Sequence, residues 1–114
     1  MFDLVIRNGT VVDGTGAPRT QTDVAVSDGR IVEVGKVDGR AKETIDASDL
    51  IVAPGFVDPH THYDAQICWD DVTSPSCWHG VTTVMMGNCG VGIAPCRPET
   101  RDIAAWDLVN VEAI

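Results

Sequence analysis

Ala53-Pro54-Gly55-Phe56-Val57-Asp58-Pro59-His60-Thr61-His62 is an apolar segment that closes on a His-x-His pair. Side chains alternate between the faces of a strand, so a strand over 55–61 points His60 and His62 the same way, with Asp58 behind them. Two imidazoles on one face at the end of a strand form a metal-ligand arrangement. Histidine is scarce in this chain, three residues in all, and two of them stand here. An isolated His-x-His also fits two ordinary hydrogen-bonded histidines. The residues that follow weigh against that plainer reading.

Downstream, Val81-Thr82-Thr83-Val84-Met85-Met86 is a nearly continuous apolar and β-branched run. That pattern suits a strand covered on both faces, as in a parallel sheet. It begins about 25 residues after Gly55, a spacing that accommodates a βαβ crossover. Within the crossover, Ser74 to Gly80 predicts a short helix with Ser74 as N-cap, Pro75 in the first turn and Gly80 past its end. After the second strand comes Gly87-Asn88-Cys89-Gly90-Val91-Gly92. Glycines on both sides of a cysteine permit a tight turn. Residues at the carboxyl ends of neighbouring parallel strands converge, which brings Cys89 toward His60 and His62. Two imidazoles and a thiolate suit Zn²⁺, and an open fourth position would activate water. A buried packing thiol is the plainer reading of Cys89. Cys96, after Ala94-Pro95, is an alternative ligand, and Cys68 and Cys77 are weaker candidates. Asp58 is expected to orient a histidine. Tyr63 and Asp64 are read either as substrate-facing residues or as ordinary loop residues. His79 precedes its strand and is read as structural, and Trp69, Trp78 and Trp106 as core aromatics.

The first fifty residues read differently. Leu4 to Arg7, Asn8-Gly9 and Thr10 to Val12 form a hairpin signal, repeated by Asp23 to Ser27, Asp28-Gly29 and Arg30 to Val34. Thr44 to Asp46 and Leu50 to Ala53 add two short strands. The expectation is a small antiparallel β-layer over 1–53, followed over 54–114 by roughly two βα units. From Glu99 onward, Ile103, Trp106 and Val109 or Asn110 recur at helical spacing and predict an amphipathic helix. Two βα units cannot close a sheet and leave strand edges exposed. The chain is therefore expected to be the truncated beginning of a longer protein, inactive by itself.

Composition narrows the class. With 114 residues, 44% of them hydrophobic and 22% charged, the chain suits one modest globular core. A formal charge of −9 argues against nucleic acid and anionic membranes, which select a basic face. No apolar run approaches the roughly 20 residues of a membrane span. The N-terminus lacks the basic start and long apolar core of a signal peptide, so a cytoplasmic location with reduced thiols is expected.

The run from Ala53 to His62 resembles the first-strand motif of the amidohydrolase superfamily. His79-Gly80-Val81-Thr82-Thr83-Val84-Met85-Met86-Gly87-Asn88-Cys89-Gly90 is similar to its N-acyl-D-amino-acid deacylase (D-aminoacylase) branch, as is the opening from Leu4 to Gly16. The resemblance implies an α/β fold: a metal-dependent (β/α)8 TIM-like barrel beside a small β-sandwich built from both chain ends. It implies that Cys89 and two later histidines hold a tight zinc, while His60 and His62 belong to a second, weaker metal position. Asn88, inside the Gly-Asn-Cys-Gly turn, would lie beside the metal or the substrate. The general base, a late aspartate in such enzymes, is expected beyond Ile114. The implied reaction is hydrolysis of a linear, non-peptide C–N bond in a small N-acyl amino acid by a zinc-activated water. Two alternatives stand beside it. One is a cyclic-amide hydrolase of dihydropyrimidinase or hydantoinase type, and the other is a non-catalytic assembly module. Acyl and side-chain preference, D or L choice and oligomeric state stay open.

Overall fold

The computed structural model describes residues 1–112. Contacts divide the chain into two units, Met1–Pro54 and the part from Gly55 onward.

In the first unit β1 (Phe2–Val11), β2 (Thr20–Ser27), β3 (Arg30–Gly35), β4 (Ala41–Asp46) and β5 (Ile51–Val52) form one sheet in the order β3-β2-β1-β4, with β5 also on β1. The expected Asp28-Gly29 hairpin joins β2 to β3, with φ of 51° and 70°, the positive angles that a type I′ turn requires. Asn8-Gly9 behaves differently. β1 runs straight through it, and the register steps from Ile6–Val24 to Gly9–Thr22, which leaves one extra residue on β1. Asn8, at φ 61°, supplies a β-bulge instead of a turn. Gly9 is required by close approach, since a Cβ there would meet Val52 Cγ2 at 2.5 Å.

The expected antiparallel layer accounts for β1–β3. The remaining strands join β1 in parallel, β4 along Phe2–Arg7 and β5 along Thr10–Val11. Residues 36–40 cross one face of the sheet to reach the far edge of β1. Val37 packs there on Val5 and Ala25, all at most 2% exposed, which buries apolar surface that a tight turn would leave wet. Arg7 fastens the crossing: its guanidinium donates to Val37 O and Gly39 O and pairs with Asp23 at 3.1 Å. Asp23 also accepts the amides of Asn8 and Val37. The Asn8 amide above all, then the Val37 amide and Arg7, hold its carboxyl below the usual carboxylate range against the opposing effect of desolvation. The other face of the sheet presents an apolar groove of about 630 Å³ lined by residues such as Ile6, Val26, Ile31 and Val34.

In the second unit β6 (Phe56–Asp58) and β7 (Val81–Val84) pair in parallel, as the apolar run predicts, though both strands are shorter than expected. The connection holds two 3₁₀ turns, Gln66–Cys68 and Ser76–His79, the second standing where a short helix over Ser74–Gly80 was expected, with Gly80 past its end. Asp70 explains the difference. Its carboxylate accepts the amide and hydroxyl of Ser74, the Gln66 side-chain amide and the Val72 amide. Ser74 is thereby committed to Asp70 and caps no helix. Pro98–Thr100 is a further 3₁₀ turn leading into α1 (Arg101–Asp107), which ends in a π turn over Leu108–Glu112. The expected amphipathic face is present and uncovered: Ile103, Trp106 and Val109 are all exposed. Trp69, Trp78 and Trp106, read from the sequence as core aromatics, are 63–75% exposed. A two-stranded ribbon has no second layer within this unit to receive them. No helix among the described residues is long and apolar enough to cross a membrane.

Candidate metal centre

β6 ends at Asp58, and His60 and His62 lie in the bend beyond it. Strand alternation therefore does not place the two rings; local hydrogen bonds do. Asp58 Oδ1 accepts the His60 amide at 3.1 Å. The carboxylate expected to orient an imidazole thus holds the backbone of the bend. Between the histidines, Thr61 turns inward to 6% exposure and donates its hydroxyl to Met85 O at 2.8 Å. Thr61 was not singled out from the sequence. Its hydroxyl bonds a carbonyl 24 residues along the chain, so no local pattern announces it. The imidazoles stand side by side, with ring centroids 5.7 Å apart and planes 25° from parallel.

The second loop follows β7. Gly87 takes φ 75°, and the Gly90 amide closes the Gly-Asn-Cys-Gly turn on Gly87 O at 3.1 Å. Asp64 Oδ2 accepts the Gly87 amide at 3.2 Å, and Asn88 Nδ2 donates to Pro59 O at 2.7 Å. Asp64, read as a substrate-facing or loop residue, and Asn88, expected beside the metal or the substrate, thus connect one loop to the other. Tyr63 differs from its substrate-facing reading: it is 7% exposed, its hydroxyl lies 2.6 Å from Ser76 Oγ, and it accepts the Ser76 amide. It holds the connection between the strands.

The result is one group of donors. A ring nitrogen of His60, a ring nitrogen of His62 and Cys89 Sγ all lie within 4.8 Å of one another. The Val91 amide donates to the same sulfur at 3.4 Å. Cys96 stays outside this group, near Arg97 O and Thr100 Oγ1, while Cys68 and Cys77 are exposed free thiols. His79 ends the 3₁₀ turn before β7, at the strand end away from the donor loops. Zinc bonds of about 2.0–2.1 Å to nitrogen and 2.3 Å to sulfur put tetrahedral donors roughly 3.3–3.7 Å apart. Closing this group on an ion then takes a shift of about 1 Å, and an N₂S donor set matches the preference of zinc. The residues fit the metal.

A D-aminoacylase from Alcaligenes xylosoxydans xylosoxydans is 42% identical over 95 residues, covering 82% of this chain and 20% of the relative. An N-acyl-D-glutamate deacylase from the same organism is 40% identical over 110 residues, covering 96% and 22%. A solved N-acyl-D-glutamate deacylase from Bordetella bronchiseptica, complexed with zinc and a phosphonate mimic of its tetrahedral intermediate, is similar with TM-score 0.72. Its identity is 44%, over 83% of this chain and 20% of its own. An L-hydantoinase from Arthrobacter aurescens is a weaker match, with TM-score 0.50 and 36% identity over 56% of this chain and 14% of its own. The chain spans about a fifth of the length of the curated relatives it matches. The model of the amidohydrolase family matches residues 43–113, more than half of the sequence and both donor loops, and the chain belongs to that family.

Proposed function

We propose that this chain is the donor-bearing beginning of a zinc hydrolase for linear amides, a deacylase of N-acyl-D-amino acids. One observation carries the reading: two imidazoles and a thiol from separate loops converge within 4.8 Å beyond the ends of a parallel strand pair. His60, His62 and Cys89 are the residues that would hold zinc. A zinc ion held there would supply Lewis acidity toward an amide carbonyl and toward water.

The chain's own residues prepare that place. Asp58 holds the His60 backbone, Thr61 ties the bend to the end of β7, and Asp64 and Asn88 tie the two loops together. The reaction also needs a proton acceptor within hydrogen-bond reach. We assign that role, and further ligands, to parts of the protein that correspond to the remaining four-fifths of its relatives. On this reading β6 and β7 begin a (β/α)8 barrel, and residues 1–53 form part of a small β-sandwich. The substrate is a small N-acyl amino acid. The cyclic-amide alternative is less favoured, because the deacylase match covers more of the chain at a higher TM-score than the hydantoinase match.

The test is direct. The full chain, purified with its bound metal quantified, is assayed against N-acetyl-D-amino acids, their L enantiomers and hydantoin. Zinc together with release of D-amino acid is expected. Ring opening of hydantoin without deacylation would sink the proposal, and so would full activity in a metal-free protein.

A further inference from the structure

Asn88 stands one residue before Cys89, and Pro59 stands one residue before His60. The 2.7 Å bond between them joins the backbone beside the thiol donor to the backbone beside the first imidazole. A carbonyl oxygen only accepts, so the Asn88 side chain has to present its NH₂ group to Pro59. The neighbouring ties attach elsewhere. Thr61 reaches Met85, before the turn begins, and Asp64 takes the amide of Gly87, its first residue. The turn is otherwise closed on itself through Gly90 and Gly87. Asn88 is thus a residue of the turn whose side chain spans to the histidine bend.

We propose that Asn88 is a positioning residue that keeps Cys89 Sγ within reach of the His60 and His62 nitrogens before an ion arrives. This inference rests on reading His60, His62 and Cys89 as metal donors. Without the Asn88 tie, Asp64 still holds Gly87 at the start of the turn, and the part that carries the sulfur is less restrained beside the histidines. An ion would then recruit the thiol only by reordering the loop, which weakens affinity and sulfur ligation together. Outer partners of metal ligands typically change affinity by about 10–100-fold, and a bond exposed to solvent belongs near the lower figure.

The experiment uses Co²⁺ as the probe in the full chain, with Asn88→Ala, Asn88→Leu and Cys89→Ser. Leucine keeps the shape of asparagine and removes the donor. The sulfur-to-cobalt charge-transfer band reads thiolate ligation independently of activity, and far-UV circular dichroism of the metal-free protein reads folding. The expected result is affinity about tenfold weaker in both Asn88 variants. Their band should be reduced at equal cobalt occupancy, with the metal-free spectrum unchanged. If Cys89→Ser keeps the band, the donor assignment itself fails. If Cys89→Ser abolishes it while both Asn88 variants bind as the parent does, Asn88 positions nothing. If both Asn88 variants lose metal-free secondary structure, Asn88 serves the fold and the proposal is overturned as well.

Discussion

The two units of this chain are held together by different means. The sheet of residues 1–54 buries Val5, Val24, Ala25, Val37 and Ala47 and pins its crossover with the Arg7–Asp23 pair. From Gly55 onward the buried residues among those described are Thr61, Tyr63 and Ala65, while Phe56, Val57, Met85 and Met86 stay exposed. There the order of the donor loops comes from side chains bonded to backbone: Asp58, Thr61, Asp64 and Asn88. Beyond its backbone ladder, the sheet is packed by apolar burial, which is proportional to area and without direction. The donor loops are organised by hydrogen bonds, which are directional and set positions to within tenths of an ångström. The segment that holds the candidate donors is the one whose geometry rests on directional contacts.

This contrast can be broken or sharpened by substitution, and the largest effect belongs to the donors. Cys89→Ser in the full chain is expected to weaken zinc binding by more than the roughly 100-fold upper range for outer partners. Competition against a chromophoric chelator measures it, and unchanged affinity would remove Cys89 from the site. Val5→Ala comes next. It deletes two methyl groups at a position with 0% exposure, and a loss of about 2–3 kcal/mol in denaturant unfolding is expected. Trp106→Ala, at 65% exposure, should change stability by less than about 0.5 kcal/mol despite the larger side chain. Equal effects at the two positions would erase the distinction between the units.

Tyr63→Phe is smaller, about 1 kcal/mol, from the loss of the hydroxyl shared with Ser76. Hydrogen exchange should quicken over 76–80 and stay unchanged in the β1–β2 ladder. The most gradual effect is that of acid on the sheet. The folded state holds Asp23 below its unfolded value of about 3.9, so its contribution is complete above that pH. It is lost as pH falls through the folded value. The unfolding midpoint of the sheet should be level from pH 7 to 5 and decline below about pH 4. Asp23→Asn should make that decline shallower without abolishing it, because Asp3 and Asp46 are lowered in the same direction.

The residues of the candidate site that the structure brings together were legible from the sequence. His60, His62 and Cys89 stood out because each is a donor type in a setting that ends a strand or tightens a turn, and parallel strands bring such ends together. Asn8-Gly9 was misread because asparagine and glycine advertise only tolerance of positive φ, which serves a bulge as well as a turn. The tryptophans were misread because bulk predicts burial only where a second layer exists to supply it.

By itself the sequence announced His60, His62 and Cys89 as candidate donors, the Asp28-Gly29 hairpin and the parallel pairing of the two apolar strands, because those follow from residue chemistry and short-range periodicity. Only the tertiary structure decided that β4 and β5 add in parallel to β1, that Thr61 bonds Met85 O and that Asn88 reaches Pro59. Each of those depends on which distant backbone groups are left needing a partner once the strands have paired, a condition that no local stretch of sequence contains.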